Sequence, residues 1–162
     1  MIIDGHAHAC GEFLTPESII KKLNNSGVDK VILVPGELES SKNYSLPNIA
    51  EIFPSRNVVK ITNYLTKFVM KITGAIVQIP EGNEYVYKLT KKTVGRVIQF
   101  VWITQQIANP AKYLDKKLVE WRFSGVKLHQ CWENFSIDSE FFSTIAEWTE
   151  KNDMPLDRKS VV

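Results

Sequence analysis

Short apolar runs alternate along the chain with segments of helical periodicity, and this alternation constrains the fold more than any other feature. In one of these runs, Val31–Val34 is apolar at every position, which is typical of a parallel strand covered on both faces. Strands that alternate with crossover helices predict a parallel α/β sheet with right-handed connections. The predicted strands are MIIDGHAHA, VDKVILVPG, RVIQFVWIT and GVKLH, which begin at Met1, Val28, Arg96 and Gly125.

Capping residues predict where the first helix begins and ends. Thr15 is expected to be its N-cap, Pro16 occupies its first position, and Gly27 is expected to stop it. Between Pro54 and Pro80, apolar residues at helical spacing and lysines on another side predict an amphipathic helix with a solvated basic face; the apolar residues are Ile61, Leu65, Phe68 and Ile72. The later predicted helices are NEYVYKLTKKTVG, NPAKYLDKKLVEWRF and Ile137–Asn152.

Composition and charge exclude several classes of protein. Of the 162 residues, 44% are hydrophobic and 23% are charged, which is ordinary for a soluble domain, and a net charge of +2 is too small for a nucleic-acid footprint. The longest uncharged run, Val97–Ala111, contains polar residues and is shorter than the roughly 20 apolar residues of a membrane span. Because the first predicted strand begins at Met1 and the two cysteines are far apart, we expect a cytoplasmic protein with reduced thiols.

Two histidines follow each other closely in the first predicted strand, in the stretch Asp4-Gly5-His6-Ala7-His8. Successive side chains of a strand point to opposite faces, so His6 and His8 share one face and Asp4 joins them. Two imidazoles on one face at the end of a strand can bind one metal ion. They can equally be ordinary polar residues at a strand end.

The fourth predicted strand repeats this pattern. In GVKLH, Lys127 and His129 share one face, and Val126 and Leu128 share the other. If the apolar pair faces the helices, Lys127 and His129 face the interior at the carboxyl end of the strand. Catalytic groups of parallel barrels collect at that end, so we expect a site shared with the two histidines of the first strand.

Three blocks of the sequence resemble the amidohydrolase superfamily, in the branch that includes aminocarboxymuconate semialdehyde decarboxylase. IDGHAHA resembles the Asp-x-His-x-His metal motif of the branch's first strand. The Asn-led helix before Gly95-Arg96 and the third strand resembles a second block, and the stretch around Gly-x-Lys-Leu-His resembles a third. The resemblance covers residues 1–34 and 83–155. It implies an α/β fold of the (β/α)8 TIM-barrel type with one or two divalent metals, usually zinc.

The resemblance also implies a function and roles for the residues named above. It implies a metal-dependent hydrolase that uses a divalent metal to activate water against a small carbonyl or carboxylated substrate, with His6 and His8 as metal ligands. A non-oxidative decarboxylase of the same branch is an alternative. Asp4 would hydrogen-bond near the metal or orient a histidine. Lys127 would bind a substrate carboxylate or, if carbamylated, bridge two metals, unless it is a buried structural lysine. His129 would contact the substrate or have a structural role at the end of the strand.

The sequence departs from the family after Leu156. The later ligands expected on strands five and eight are absent, and a full barrel needs about 250 residues. We therefore expect a truncated half-barrel of about four strands over residues 1–156, with 157–162 as an unstructured tail because Asp157, Arg158 and Lys159 are successive charges. The exposed edge of strand four would favour homo-oligomers. A non-catalytic half-barrel or interaction fragment is the remaining alternative.

Overall fold

The computed structural model describes residues 1–36, 79–129, 133 and 135–159, together with seven isolated positions between 55 and 68. No helix in this described part of the chain is long and apolar enough to cross a membrane. In chain order the elements are β1 (Ile3–His8), a 3-10 turn (Gly11–Phe13), α1 (Pro16–Ser26), β2 (Lys30–Val34), α2 (Ile79–Lys92), β3 (Val97–Trp102), α3 (Pro110–Trp121), β4 (Gly125–His129), α4 (Glu140–Lys151) and β5 (Leu156–Lys159).

The five strands form one parallel sheet in the order β1-β2-β3-β4-β5, so each strand lies beside its neighbour in the chain. This is the strand order of half of a (β/α)8 barrel, and the predicted α/β half-barrel is confirmed with five strands rather than four. Because all strands are parallel, their carboxyl ends meet at one edge of the sheet, where catalytic groups of such barrels collect.

The fifth strand contradicts the prediction for the end of the chain. Val126 of β4 pairs with Leu156, and the pairing continues to His129 opposite Lys159. The expectation of an unstructured tail is therefore wrong for residues 157–159, and β4 is not an open edge. Residues 160–162 lie outside the described residues.

Pairing of charges explains why a strand can form there. Asp157 lies opposite Lys127 in the β4–β5 register, and the ammonium group of Lys127 neutralises its carboxylate. The next residue, Arg158, points to the opposite face of the strand and is exposed to solvent. Successive charges are costly in a strand only when they are buried without partners.

Two hydrophobic clusters join the helices to one face of the sheet. In the first, Ile19 and Leu23 of α1 pack with Val31 and Leu33 of β2 and with Val86 of α2. In the second, residues of α3 and α4 pack against β3 and β4, and the fully buried ones are Val101, Ile103, Leu114, Val126, Leu128 and Ile145. Val126 and Leu128 thus face the helices, as predicted, which directs Lys127 and His129 to the opposite face.

The predicted ends of α1 are confirmed. The Thr15 side chain accepts a hydrogen bond from the backbone N–H of Ser18 at 3.2 Å, and Gly27 ends the helix in the left-handed conformation with φ of 64°. Helix α4 begins later than Ile137, the predicted start, because Ser139 is its N-cap and accepts from the first turn.

The amphipathic segment predicted between Pro54 and Pro80 lies mostly outside the described residues. Six of its described positions (57, 58, 61, 64, 65 and 68) are helical, in agreement with the spacing. The side chains of Ile61, Leu65 and Phe68 are all more than half exposed.

Helix α2 is fixed to the carboxyl end of β3 by the fully buried side chain of Asn83. Its Oδ1 accepts from the backbone N–H of Trp102 at 2.8 Å, and its Nδ2 donates to the Trp102 carbonyl at 2.8 Å. The backbone carbonyl of Asn83 accepts from Gln99 Nε2, also at 2.8 Å. These bonds position Trp102 at the edge of the sheet where the predicted site lies.

Replacement of Asn83 by alanine should lower the free energy of unfolding by about 2–4 kcal/mol, because the buried N–H and C=O of Trp102 lose these partners. Urea denaturation of the wild type and Asn83→Ala measures the difference. Asn109→Ala is the matched control, since Asn109 is exposed, accepts one bond as the N-cap of α3, and should cost about 1 kcal/mol. Equal losses for the two variants would contradict this account.

Candidate metal centre

The two histidines of β1 point to the same side of the sheet, as predicted. His6 Nε2 lies 3.1 Å from His8 Nε2, and the two ring planes meet at 75°. Ala7 between them is buried in the hydrophobic cluster on the other face. The alternation of β1 therefore brings the two imidazoles together at the carboxyl end of the strand.

The second nitrogen of each imidazole is held by an acceptor. His8 Nδ1 lies 2.9 Å from the carbonyl oxygen of Pro35, which can only accept, so this nitrogen carries the ring proton. His6 Nδ1 lies 2.8 Å from Asp157 Oδ2. When both Nδ1 atoms carry the proton, the lone pairs of both Nε2 atoms point into the same small space.

This arrangement fits a divalent metal. Two nitrogens that bind one tetrahedral zinc at about 2.0–2.1 Å lie roughly 3.3 Å apart, close to the separation of the two Nε2 atoms. Lone pairs at this separation repel each other unless a cation or a proton lies between them. Within the described ranges, however, no group of three histidine, cysteine, aspartate or glutamate side chains could hold a metal ion. The described residues thus offer two protein ligands, one fewer than a catalytic zinc usually has.

Contact between His6 and Asp157 shows how strongly the sheet is curved. These residues belong to β1 and β5, the outermost strands of the described sheet, yet their side-chain atoms lie 2.8 Å apart. In a flat sheet, four strand spacings would separate them by about 19 Å. The sheet therefore curves as the wall of a barrel does, and the inward side chains of opposite strands meet.

Lys127 contributes to the centre through Asp157. Its side chain is fully buried, and its Nζ donates to Asp157 Oδ2 at 2.9 Å. Burial raises the pKa of Asp157, but the hydrogen bond and charge of Lys127, with a smaller effect of His6, outweigh burial and hold this pKa below its ordinary value. Asp157 is therefore a carboxylate at neutral pH, and it accepts from both groups.

His129 reaches the same end of the sheet but does not form part of the Nε2 pair. Its ring is 4% exposed and stacks on the indole of Trp102, with centroids 5.2 Å apart. Trp102 also makes an edge contact with the ring of His8, with ring centroids 6.0 Å apart. Trp102 thus lies between His8 and His129 and forms the wall of the site on the β3 side.

Asp4 contacts the backbone of the metal motif. Its Oδ1 accepts from the backbone N–H of His6 at 3.2 Å, next to the shift in β1–β2 register between Asp4 and Ala7. Among the described carboxylates, that of Asp157 contacts the ring of His6. Asp157, Trp102 and the Pro35 carbonyl were not among the predicted site residues.

Glu133 is a buried carboxyl group next to the same edge. Its Oε1 accepts from the backbone N–H of Gln105 at 3.0 Å, and its backbone N–H donates to the carbonyl of His129 at 3.2 Å. Its Oε2 is buried without a hydrogen-bond partner among the described residues. Burial raises the pKa of Glu133 to about 7, against the opposing effect of the Gln105 hydrogen bond.

The stability of the protein should fall as the pH rises through the range from about 4.5 to 7. The unfolded chain releases the proton of Glu133 near pH 4.5, whereas the folded chain keeps it to about pH 7. The contribution of Glu133 to the free energy of unfolding is therefore fully present below this range and is lost as the pH rises through it. The loss should reach about 3 kcal/mol. Urea denaturation from pH 4 to 8 on the wild type and Glu133→Gln measures it, since the neutral amide removes this contribution.

Glu147→Gln, at an exposed position of α4, is the matched control and should follow the wild type at each pH. A pH dependence that is the same in Glu133→Gln and the wild type would contradict the assignment to Glu133.

Comparison with known proteins shows that the fold is similar to that of solved enzymes. Neither the scan of protein-family models nor the search of curated proteins found a match. Crystal structures of 5-carboxyvanillate decarboxylase LigW2 from Novosphingobium aromaticivorans, with bound manganese and a hydroxy-methoxy-nitrobenzoic acid, match with a TM-score of 0.53 and 20% identity. The match covers 85% of this chain and 32% of the decarboxylase.

The structure of 4-oxalomesaconate hydratase LigJ from Rhodopseudomonas palustris matches with a TM-score of 0.56 and 15% identity. It covers 96% of this chain and 51% of the hydratase. This chain therefore spans about a third of one enzyme and about half of the other. At these identities the likeness concerns the fold alone.

Proposed function

We propose that this chain, which has the fold of the N-terminal part of an amidohydrolase-type barrel, carries the metal-binding end of a divalent metal-dependent hydrolase. The observation that carries this proposal is the pair of His6 and His8 Nε2 atoms, 3.1 Å apart at the carboxyl end of β1. The manganese in the structures of LigW2 supports a divalent metal. Manganese is therefore a second candidate, in addition to the zinc expected from the sequence.

The residues of the site would have different roles in binding the metal. His6 and His8 would hold the metal through Nε2, with Pro35 and Asp157 as acceptors for their Nδ1 protons. When bound, a divalent metal supplies Lewis-acid activation of water and polarisation of a substrate carbonyl or carboxylate oxygen.

The substrate would bind on the side of the metal ligands where Trp102 and His129 form a buried aromatic wall. This wall would exclude water from one side of a small carbonyl or carboxylated substrate. His129 remains the predicted contact to the substrate. Lys127 Nζ donates to Asp157, and this bond supports an action of Lys127 through Asp157. A direct contact of Lys127 with a substrate carboxylate stays a prediction.

Decarboxylation by the same site is a second candidate, because LigW2 is a decarboxylase crystallised with a benzoic acid compound. Either reaction would need a metal to polarise a substrate oxygen. The non-catalytic alternative is favoured by the presence of only two metal ligands within the described ranges. Association of chains through a sheet edge stays a prediction; among the described strands, the outermost are β1 and β5.

Metal binding by this chain should be weak and should depend on both histidines, because two imidazoles leave most of the coordination shell to water. Calorimetric titration of the wild type and of His6→Ala/His8→Ala with zinc and with manganese measures the affinity. We expect one equivalent bound by the wild type and none by the double variant. Tight binding that survives the double substitution would contradict the assignment of the ligands.

Activity assays of the metal-loaded chain distinguish the candidates. Release of carbon dioxide from 5-carboxyvanillate reports decarboxylation, and cleavage of small aryl esters and lactones reports hydrolysis. We expect metal-dependent hydrolysis that His6→Ala/His8→Ala abolishes. Carbon dioxide release without hydrolysis would favour the decarboxylase, and metal binding without either reaction would favour the non-catalytic alternative.

A further inference from the structure

We propose that Asp157 is a positioning residue that fixes the ring tautomer of His6, with the proton on Nδ1 and the lone pair of Nε2 directed towards His8. Lys127 anchors the carboxylate of Asp157 for this purpose. The tautomer itself follows from contacts within the chain. Only its consequence for metal affinity rests on the proposed function.

The two nitrogens of His6 face different groups. Nδ1 lies 2.8 Å from Asp157 Oδ2, and Nε2 lies 3.1 Å from His8 Nε2. A neutral imidazole carries one proton, and a carboxylate beside one nitrogen draws the proton to that nitrogen. Asp157 therefore holds the proton of the neutral ring on Nδ1 and leaves Nε2 unprotonated.

The carboxylate of Asp157 is itself held in place. Its Oδ2 accepts from Lys127 Nζ at 2.9 Å, and the ammonium group is fully buried. Lys127 and Asp157 are direct partners in the β4–β5 register, so both side chains arise from the sheet rather than from a loop. A carboxylate anchored on a strand by a buried cation keeps one geometry, which is what the orientation of a metal ligand requires.

Asp4 is a second carboxylate near His6, but it contacts the backbone of this residue, whereas Asp157 contacts the ring. Asp4 Oδ1 binds the backbone N–H of His6 at 3.2 Å. The ring of His8 provides a comparison within the same molecule, because its Nδ1 is held by the Pro35 carbonyl at 2.9 Å. Loss of Asp157 should therefore change the tautomer of His6 and leave that of His8 unchanged.

Long-range proton–nitrogen NMR of the imidazoles, on metal-free full chain labelled with 15N-histidine, tests the proposal. In the wild type we expect Nδ1 of both His6 and His8 to carry a proton, and a further proton between the two Nε2 atoms of the metal-free chain does not alter this expectation. Asp157→Ala removes the carboxylate beside the buried ammonium of Lys127 and is expected to unfold the chain in part. The decisive variant is therefore Lys127→Met/Asp157→Leu, which replaces the buried ion pair by apolar side chains of similar size and is expected to stay folded.

In Lys127→Met/Asp157→Leu, His6 should lose its fixed tautomer and exchange its proton between both nitrogens, while His8 keeps the proton on Nδ1. Asp4→Asn should leave both rings as in the wild type. Retention of the Nδ1 proton by His6 in the folded double variant would overturn the proposal, as would a wild-type His6 that carries no proton on Nδ1.

Metal titration of the same variants gives a second readout. The affinity of the folded double variant for zinc and manganese should fall by about 10–100-fold relative to the wild type, which is the usual effect of removing such a partner of a ligating histidine. An unchanged affinity would count against the positioning role. A wild-type chain that binds no metal would contradict the proposed function, and the metal-free NMR result would still decide the role of Asp157.

Discussion

The ammonium group of Lys127 is fully buried on the inner face of the curved sheet, and the arrangement of the site depends on how its charge is compensated. Removal of one partner from a buried ion pair typically costs about 3–5 kcal/mol, and the carboxylate of Asp157 lies 2.9 Å from this ammonium group. The ion pair joins β4 and β5 in the observed register. The same carboxylate then contacts His6 across the sheet, which joins the first strand to the fifth.

The acceptors beside His6 and His8 determine where the lone pairs of the two imidazoles point. Asp157 and the Pro35 carbonyl each take the Nδ1 proton of one histidine, so both Nε2 lone pairs meet in one place. Such a pair of unprotonated nitrogens would supply two of the ligands of the proposed metal site. Trp102, fixed by Asn83, adds an aromatic wall that connects His8 to His129. Four strands thus contribute to one centre.

Local patterns predicted much of the fold, because caps and side-chain alternation depend on neighbours in the sequence. Thr15 and Gly27 bound α1 as expected, and alternation placed His6, His8, Lys127 and His129 on the inner face. Asp157 was misjudged because the charge that stabilises it lies 30 residues away on another strand. Trp102 was missed for a similar reason, since its position depends on a hydrogen-bonded side chain of α2.

X-ray absorption at the zinc edge, on the chain loaded with one equivalent of zinc, measures directly whether His6 and His8 bind the metal. Two imidazole nitrogens at about 2.0–2.1 Å, with oxygen completing the shell, is the predicted result. The imidazole signal should disappear in His6→Ala/His8→Ala. A shell without imidazole in the wild type, or one in which cysteine sulfur replaces it, would contradict a metal centre at the end of β1.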